Sequence, residues 1–309
     1  MTDMPNIDIC VCTFRRHELA DTLRSLAAMD LPEGFRIGIV VADNDEVPSA
    51  EGLVAVLARE LSLKIRYVHC PARNISRARN ACLDASSADF LAFIDDDEKA
   101  TGAWLKRLVE AAQATGADVV LGPVKARYGA GAPGWMQLGD FHSTYPVFVQ
   151  GEIRTGYTCN ALLRTNSPSI AGRRFSLERG QSGGEDTEFF DQVFGAGGRI
   201  AYAAEAWVEE PVPASRASFG WLTKRRFRVG QTHGRLLGAK RGGAGRLSEL
   251  VRASAKAGYC FAVAGLTALQ PVSRNRSLLR GVMHLGVLSG LVGARELHLY
   301  GNERGPDAA

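Results

Sequence analysis

The sequence predicts an α/β protein: a mostly parallel, Rossmann-like sheet with helices on both faces, followed by a helical C-terminal extension. Three observations carry this expectation. Over the first 125 residues, short runs rich in β-branched residues alternate with helical apolar stripes. After Val124 the texture changes to Gly, Pro and aromatic residues, and from Phe219 the chain turns helical, first basic and then apolar. Alternation of strand and helix gives crossover units, whose helices cover both faces of a parallel sheet.

The elements follow in order. "IDICVCTF" (7–14), "FRIGIVVA" (35–42), "KIRYVH" (64–69), "DFLAFI" (89–94) and "DVVLGPV" (118–124) read as strands. "ELADTLRSLAAM" places Leu19, Leu23 and Leu26 on one helical stripe. "SAEGLVAVLAREL", "ISRARNACLDAS" and "TGAWLKRLVEAAQA" repeat the pattern, the last with Thr101 as its expected N-cap. Residues 127–157 read as long loops with short strands. "GEDTEFFDQVFGAG" is helical, and "RIAYA" and "AWVEE" are short strands. Two apolar helical stretches, 247–269 and 277–294, finish the fold, and the polar tail "GNERGPDAA" (301–309) is expected to fray.

Bulk properties narrow the function. The 309 residues suffice for one large domain or two smaller ones, and 46% apolar with 23% charged content is ordinary for a soluble protein. No uninterrupted apolar stretch reaches the ~18 residues of a simple membrane-spanning helix, and "MTDMPNIDICVC" carries no secretory pattern. The net charge of +4 does not point to nucleic acid. Between Lys224 and Lys256, however, ten Lys/Arg stand against one acid, Glu249. With no RNA-binding or zinc-finger signature beside it, this segment suits anionic lipid headgroups better than RNA. The helices after residue 247 pack either on the domain or on a second copy of the chain. The six cysteines form no CxxC pair and read as reduced thiols of a cytosolic protein.

In a doubly wound sheet, ligands sit beyond the carboxyl ends of the strands. That edge carries "TFRR", "DND", "CPARN" and "DDDE". Alternate residues of an extended chain share a side, so Asp95 and Asp97 can act together while Asp96 faces away. Such a pair suits Mg²⁺, and the competing reading is an acidic turn that caps a helix. Arg73, Arg77 and Arg79 surround a helix start, placed for a diphosphate or as a solvated basic face. Asp43 is placed for a base N–H or ribose hydroxyl, or for a turn. Glu185 and Asp186 open a later helix, as a general base with its neighbour or as caps. Asn160 either hydrogen-bonds a sugar or orders its loop.

Taken together, "VCTFRR", "VVADND", "ISRARNACLDAS", "FLAFIDDDE" and "GEDTEFF" resemble glycosyltransferase family 2, inverting enzymes of the GT-A fold, over residues 7–233. "VEEPVPASRASFGWLTKRRFRVGQTH" is most similar to bacterial exopolysaccharide glucosyltransferases of the succinoglycan type. The resemblance implies a UDP-sugar donor, UDP-glucose first, with Mg²⁺ or Mn²⁺, and a lipid-linked oligosaccharide acceptor. It implies Thr13 and Arg15 at the nucleotide, Asp43 at uracil, and Arg77 and Arg79 at the diphosphate or base. Asp95 would lie near the ribose and metal, and Asp97 would be the better metal ligand. Glu98 stands where many members carry Asp. Asp186 would be the catalytic base with Glu185 beside it, and the metal with Arg226 or His233 would stabilise the departing UDP, Arg226 as a nucleotide-sugar ligand and His233 as a metal ligand. On this reading residues 1–240 form the catalytic domain, with 1–125 its nucleotide half and 126–240 its acceptor half. Residues 241–309 are a helical extension, and the protein is expected in the cytoplasm, peripheral to the inner face of the cytoplasmic membrane, with a homodimer as one arrangement. The competing readings are a nucleotidyltransferase, disfavoured because "TFRRHE" lacks glycine, and a non-catalytic nucleotide-sugar-binding subunit.

Overall fold

A computed structural model describes residues 4–181, 183–295 and 297. The tail expected to fray (301–309) lies outside the described residues. In chain order the elements are β1 (Asn6–Thr13), α1 (Leu19–Ala27), β2 (Arg36–Asp43), α2 (Glu51–Glu60), β3 (Ile65–His69), α3 (Ile75–Ala85), β4 (Phe90–Asp95), β5 (Lys99–Ala100), α4 (Trp104–Thr115), β6 (Val119–Leu121) and β7 (Val124–Tyr128). They continue with α5 (Gly134–Gly139), β8 (Phe148–Val149), β9 (Glu152–Ile153), β10 (Asn160–Arg164), a 3₁₀ turn (Leu177–Arg179), α6 (Glu185–Gly195), β11 (Ile200–Tyr202) and β12 (Val208–Val212). Three long helices follow: α7 (Phe219–Lys240), α8 (Gly243–Leu266) and α9 (Pro271–Leu291).

The central sheet has seven strands in the order β11-β6-β10-β4-β1-β2-β3. β3, β2, β1 and β4 run parallel, while β10 is antiparallel to both β4 and β6. The period-two pattern of the strands sorts the core into two layers. Ile7, Ile9 and Val11 of β1 pack with Leu23 of α1, Leu57 of α2 and Leu108 of α4. Cys10 and Cys12 point the other way, toward Cys82 of α3 and Phe189 and Phe190 of α6. A sheet covered on both faces needs continuous apolar strands, which "DICVC" and "FLAFI" supply.

The chain divides into two compact units, residues 1–127 with 143–211, and residues 128–142 with 212–309. In the second unit α7 and α9 approach through glycines. A side chain on Gly230 would strike the backbone of α9, and one on Gly286 would strike that of α7. Met136, Phe141, Leu222 and Leu279 form this unit's own apolar centre.

Two local expectations are corrected. Thr101 does not cap α4: its hydroxyl donates to the Trp207 carbonyl at 2.9 Å, and Ala103 holds the cap position. The single strand expected at 118–124 ends at Leu121, because Gly122 and Pro123 wrap around the Asn160 side chain, whose amide donates to the Pro123 carbonyl. All six cysteines are free, and no described helix is long and apolar enough to cross a membrane.

Candidate active site

Strand register builds the site edge. Thr13 lies opposite Asp43, Asp43 opposite His69, and Cys12 opposite Asp95, so the carboxyl ends of four parallel strands stand in one row. Antiparallel β10 begins at the same edge, with Asn160 opposite Ile94.

Along that row the side chains divide their labour. Asp43 is fully buried, and its carboxylate accepts from the Asp45 N–H (3.0 Å), the Ala50 N–H (2.8 Å) and the Tyr67 hydroxyl (2.7 Å). It braces the β2–α2 loop. Asp45 accepts from Arg15 Nε at 2.8 Å, and Arg15 itself has φ 53°, a left-handed turn that swings its guanidinium outward. Asn160 is also fully buried: Trp104 donates to its Oδ1, and its amide donates to the Pro123 and Ala206 carbonyls. Of the two readings open for Asn160, loop ordering is the one its geometry satisfies, because every polar atom is engaged within the protein.

The acidic run turns where the sequence pattern assumes extension. β4 ends at Asp95, and the Glu98 N–H donates to the Asp95 carbonyl at 3.2 Å while Glu98 accepts from the Asp95 N–H at 2.9 Å. The turn splits the carboxylates. Asp95 gathers with Glu98 and Cys159, their ligand atoms all within 4.8 Å. Asp97 instead faces Arg16 at 3.9 Å, and Asp96 is buried toward the Thr13 hydroxyl and the Phe14 N–H. Burial pushes the Asp95 carboxyl up to about 7 against the pull of Arg79. Burial likewise raises Asp96 to about 7, against the Thr13 hydroxyl. Glu98 is driven well above its ordinary range by burial and by Asp95.

The second acidic site is set by backbone. Gly183 and Gly184 hold φ of 84° and 90°, left-handed values that favour glycine, and they deliver the N-terminus of α6. Glu185 is buried there and ion-paired to Arg79 of α3. Asp186, half-buried, accepts from the Thr187 N–H at 2.6 Å. Arg79 is itself only 7% exposed and feels Glu185, Asp95 and Asp186 together, which holds its charge despite burial. One buried guanidinium therefore joins the two acidic sites. Arg77, by contrast, is exposed at the first turn of α3, whose cap is Asn74.

Comparison with known proteins decides the family. Residues 8–176 match the sequence family described as Glycosyl transferase family 2. A succinoglycan biosynthesis protein, ExoM of Rhizobium meliloti (strain 1021), is 59% identical over 302 residues, spanning 96% of this chain and 98% of that protein. The chain belongs to glycosyltransferase family 2. An uncharacterized glycosyltransferase of Bacillus subtilis (strain 168), EpsJ, is 27% identical over 116 residues, covering 38% of this chain and 29% of its own length. Among solved structures, the mannosyltransferase PcManGT from Pyrobaculum calidifontis, in complex with GDP-Man and Mn²⁺, superposes with a TM-score of 0.63 at 16% identity, over 94% of this chain and 88% of that one. TarS (residues 1–349) of S. aureus, in complex with UDP-GlcNAc, gives 0.54 at 17% identity, over 94% and 92%. These likenesses show the GT-A fold of this glycosyltransferase.

The donor set of the glycosyltransferase fits a hard divalent cation. The carboxylates of Asp95 and Glu98 bring oxygen ligands within 4.8 Å of one another, and burial first, then repulsion from neighbouring carboxylates, raises the proton affinity of both, a cost that a bound cation would offset. The Cys159 thiol is raised well above its ordinary value by burial and by Glu98, so it remains a protonated neighbour. Arg226 and His233 both lie on α7, in the second compact unit. Arg226 is lowered by burial and by Arg225 and Arg280, and His233 is exposed. Sequence reasoning missed Glu98 as the partner of Asp95 and Arg79 as the joint between the acidic sites. The turn signal for the first was the D-D-E run itself; nothing local signals the second, which spans 106 residues.

Proposed function

We propose that this glycosyltransferase moves a sugar, glucose first among candidates, from a UDP-sugar to a lipid-linked oligosaccharide in the assembly of a succinoglycan-type exopolysaccharide, with inversion at the anomeric carbon. The observation that carries this reading is the meeting of two acidic sites around Arg79, one short of positive charge and one at a helix start. The near-full-length likeness to ExoM supports the pathway, and the TarS complex with UDP-GlcNAc supports the donor class. Donor and acceptor functions are assigned to 1–125 and 126–240, with 241–309 an extension at the cytoplasmic membrane face.

Each residue then has a task. Thr13, Arg15 and the exposed Arg77 face the nucleotide, and Asp43 holds the loop beneath it. Asp95 would hold Mg²⁺ or Mn²⁺, with Glu98 accepting from its N–H; Asp97, which the turn directs to Arg16, would join as a ligand by leaving that pair. When bound, that ion supplies the positive charge the diphosphate leaving group needs. Asp186 takes the proton of the acceptor hydroxyl as its oxygen bonds the anomeric carbon. The bond from that carbon to the diphosphate oxygen breaks on the opposite face, and UDP departs with the electron pair. Arg79 and Glu185 keep Asp186 in place. Arg226 and His233 are assigned to the departing UDP.

The test is Asp186→Asn, assayed with UDP-glucose and a lipid-linked acceptor. Transfer should fall by about two to four orders of magnitude, while the UDP-glucose thermal shift in Mn²⁺ stays intact. Unchanged turnover would remove Asp186 from the mechanism. Loss of UDP release in EDTA, restored by Mn²⁺, tests the metal in the same assay.

A further inference from the structure

The helix α8 is built inside out for a protein bathed only in water. Beyond Glu249 and Leu250 near its start, the positions it packs inward are small: Ala253, Ala257, Cys260 and Ala264 are buried. Its large apolar side chains face outward: Leu247, Val251, Tyr259 (72% exposed) and Leu266 (87%), with Leu269 (95%) in the turn that follows. An aqueous amphipathic helix shows the reverse arrangement. No charged residue occurs between Lys256 and Arg274, so the end of α8 and the turn into α9 form an uncharged tip. The ten helical residues after Lys256 span about 15 Å, too short to cross a ~30 Å hydrocarbon layer.

Behind the tip the charge is all of one sign. From Leu250 to Leu291 the chain carries five Lys/Arg and no Asp or Glu. Arg252, Lys256, Arg280 and His284 line a cleft of about 560 Å³ between α8 and α9, together with Tyr259, Cys260 and Met283. Arg252 meets Glu249 at 3.2 Å, but Lys256 and Arg280 pair with no carboxylate among the described residues. His284 is held below its ordinary value by burial and by Lys256, His233 and Arg280, which marks an uncompensated positive field. The basic α7, where sequence placed the membrane-facing charge, spends several of its groups internally. Arg235 donates to the Ala294 carbonyl, and Gly230 and Gly234 bury its face on α9.

We propose that the α8–α9 hairpin is a monotopic membrane anchor. Its tip, Leu266 and Leu269, enters the acyl layer of one leaflet, and the Arg252–Lys256–Arg280 cleft seats anionic phospholipid headgroups, with Tyr259 at the boundary between the two. The two chemistries occur one behind the other along the same hairpin, in the order a leaflet presents them: apolar at the end, cationic about two and a half to four turns back. A two-fold contact between copies centred on this face would bring the two basic clefts together, placing like charges side by side. The inference rests on the membrane-surface part of the proposed function and assigns it to one element; it does not depend on the donor chemistry.

The experiment is flotation of the full chain with vesicles of phosphatidylcholine alone, or with roughly a third phosphatidylglycerol, with a UDP-glucose thermal shift measured on every variant. The wild type should float with anionic vesicles and resist displacement by millimolar-scale inorganic pyrophosphate. Leu266→Asp with Leu269→Asp, at fully exposed positions that folding does not need, should weaken binding at least about tenfold. Lys256→Gln with Arg280→Gln should cost roughly fivefold per charge and remove the preference for phosphatidylglycerol. Flotation unchanged in the tip variant overturns the anchor. Release by pyrophosphate overturns it in favour of a soluble-phosphate site. A wild-type dimer in solution that the tip variant converts to monomer, without vesicle binding, assigns the face to a second copy instead. A thermal shift preserved throughout keeps the donor reading intact whichever outcome appears; its loss in the wild type counts against that reading alone.

Discussion

At the scale of single residues, Arg79 is the side chain on which the candidate site depends. A buried guanidinium loses its hydration, and its ion pair with Glu185, aided by the charges of Asp95 and Asp186, offsets that loss. Removing one partner of such a pair leaves the other charge uncompensated. Glu185→Gln is therefore expected to destabilise folding by about 3 kcal/mol, measured by urea denaturation. The double variant Glu185→Leu with Arg79→Met should recover part of that loss, because an apolar pair leaves no buried charge. Transfer in the double variant should still fall, since Asp186 has lost the neighbouring positive charge of Arg79. A double variant less stable than Glu185→Gln alone would show that Arg79 is held chiefly by Asp95 and Asp186. Asp43 and Asn160 make the complementary point. Both occupy the site edge that the strand pattern indicates, yet both are fully buried and braced by protein groups. Sequence places a residue at an edge; only packing decides whether its polar atoms face a ligand or a loop.

At the scale of elements, the alternating strands and helices of the first 115 residues are legible because each has a complete local signal: continuous apolar runs for β1, β2 and β4, and apolar stripes for α1 to α4. What was not legible depends on contacts distant in sequence. β6 stops at Leu121 because the Asn160 amide binds the Pro123 and Ala206 carbonyls. The acidic run departs from period two because Glu98 folds back on the Asp95 N–H. The glycines of α7 and α9 belong to the same class. They look like poor helix residues until the two backbones meet over them. Gly286→Ala should therefore destabilise the second unit by about 1–3 kcal/mol through overpacking, despite alanine's better helix propensity. Gly258→Ala in α8, where an added methyl meets nothing within 4 Å, should stabilise by up to about 1 kcal/mol. Thermal denaturation of the two variants reads the contrast, and shifts of the same sign would remove glycine contact as the basis of the α7–α9 packing.

At the scale of the whole molecule, the carboxylates at the sheet edge link folding to pH and to metal. Asp95 and Asp96 are both pushed up to about 7 by burial, above an ordinary value of 3.8. The folded state therefore binds these protons more tightly than the unfolded chain does. Stability from this source is fully present below about 4 and is lost as pH rises toward about 7. In EDTA the melting temperature should accordingly decline across that window, beyond any trend shared with the Asp95→Asn, Asp96→Asn double variant. A divalent cation competes with the same protons, so stabilisation by Mn²⁺ should grow over the interval in which proton binding fades. The two carboxylates should separate in single variants. Asp95→Asn should abolish the Mn²⁺ response, because it removes the carboxylate clustered with Glu98. Asp96→Asn should remove about half of the pH slope, Asp95 keeping the rest, and leave the Mn²⁺ response in place, because Asp96 faces the Thr13 hydroxyl and the Phe14 N–H. An Mn²⁺ response lost in Asp96→Asn but kept in Asp95→Asn would reverse the assignment and make the inward-facing aspartate the metal ligand.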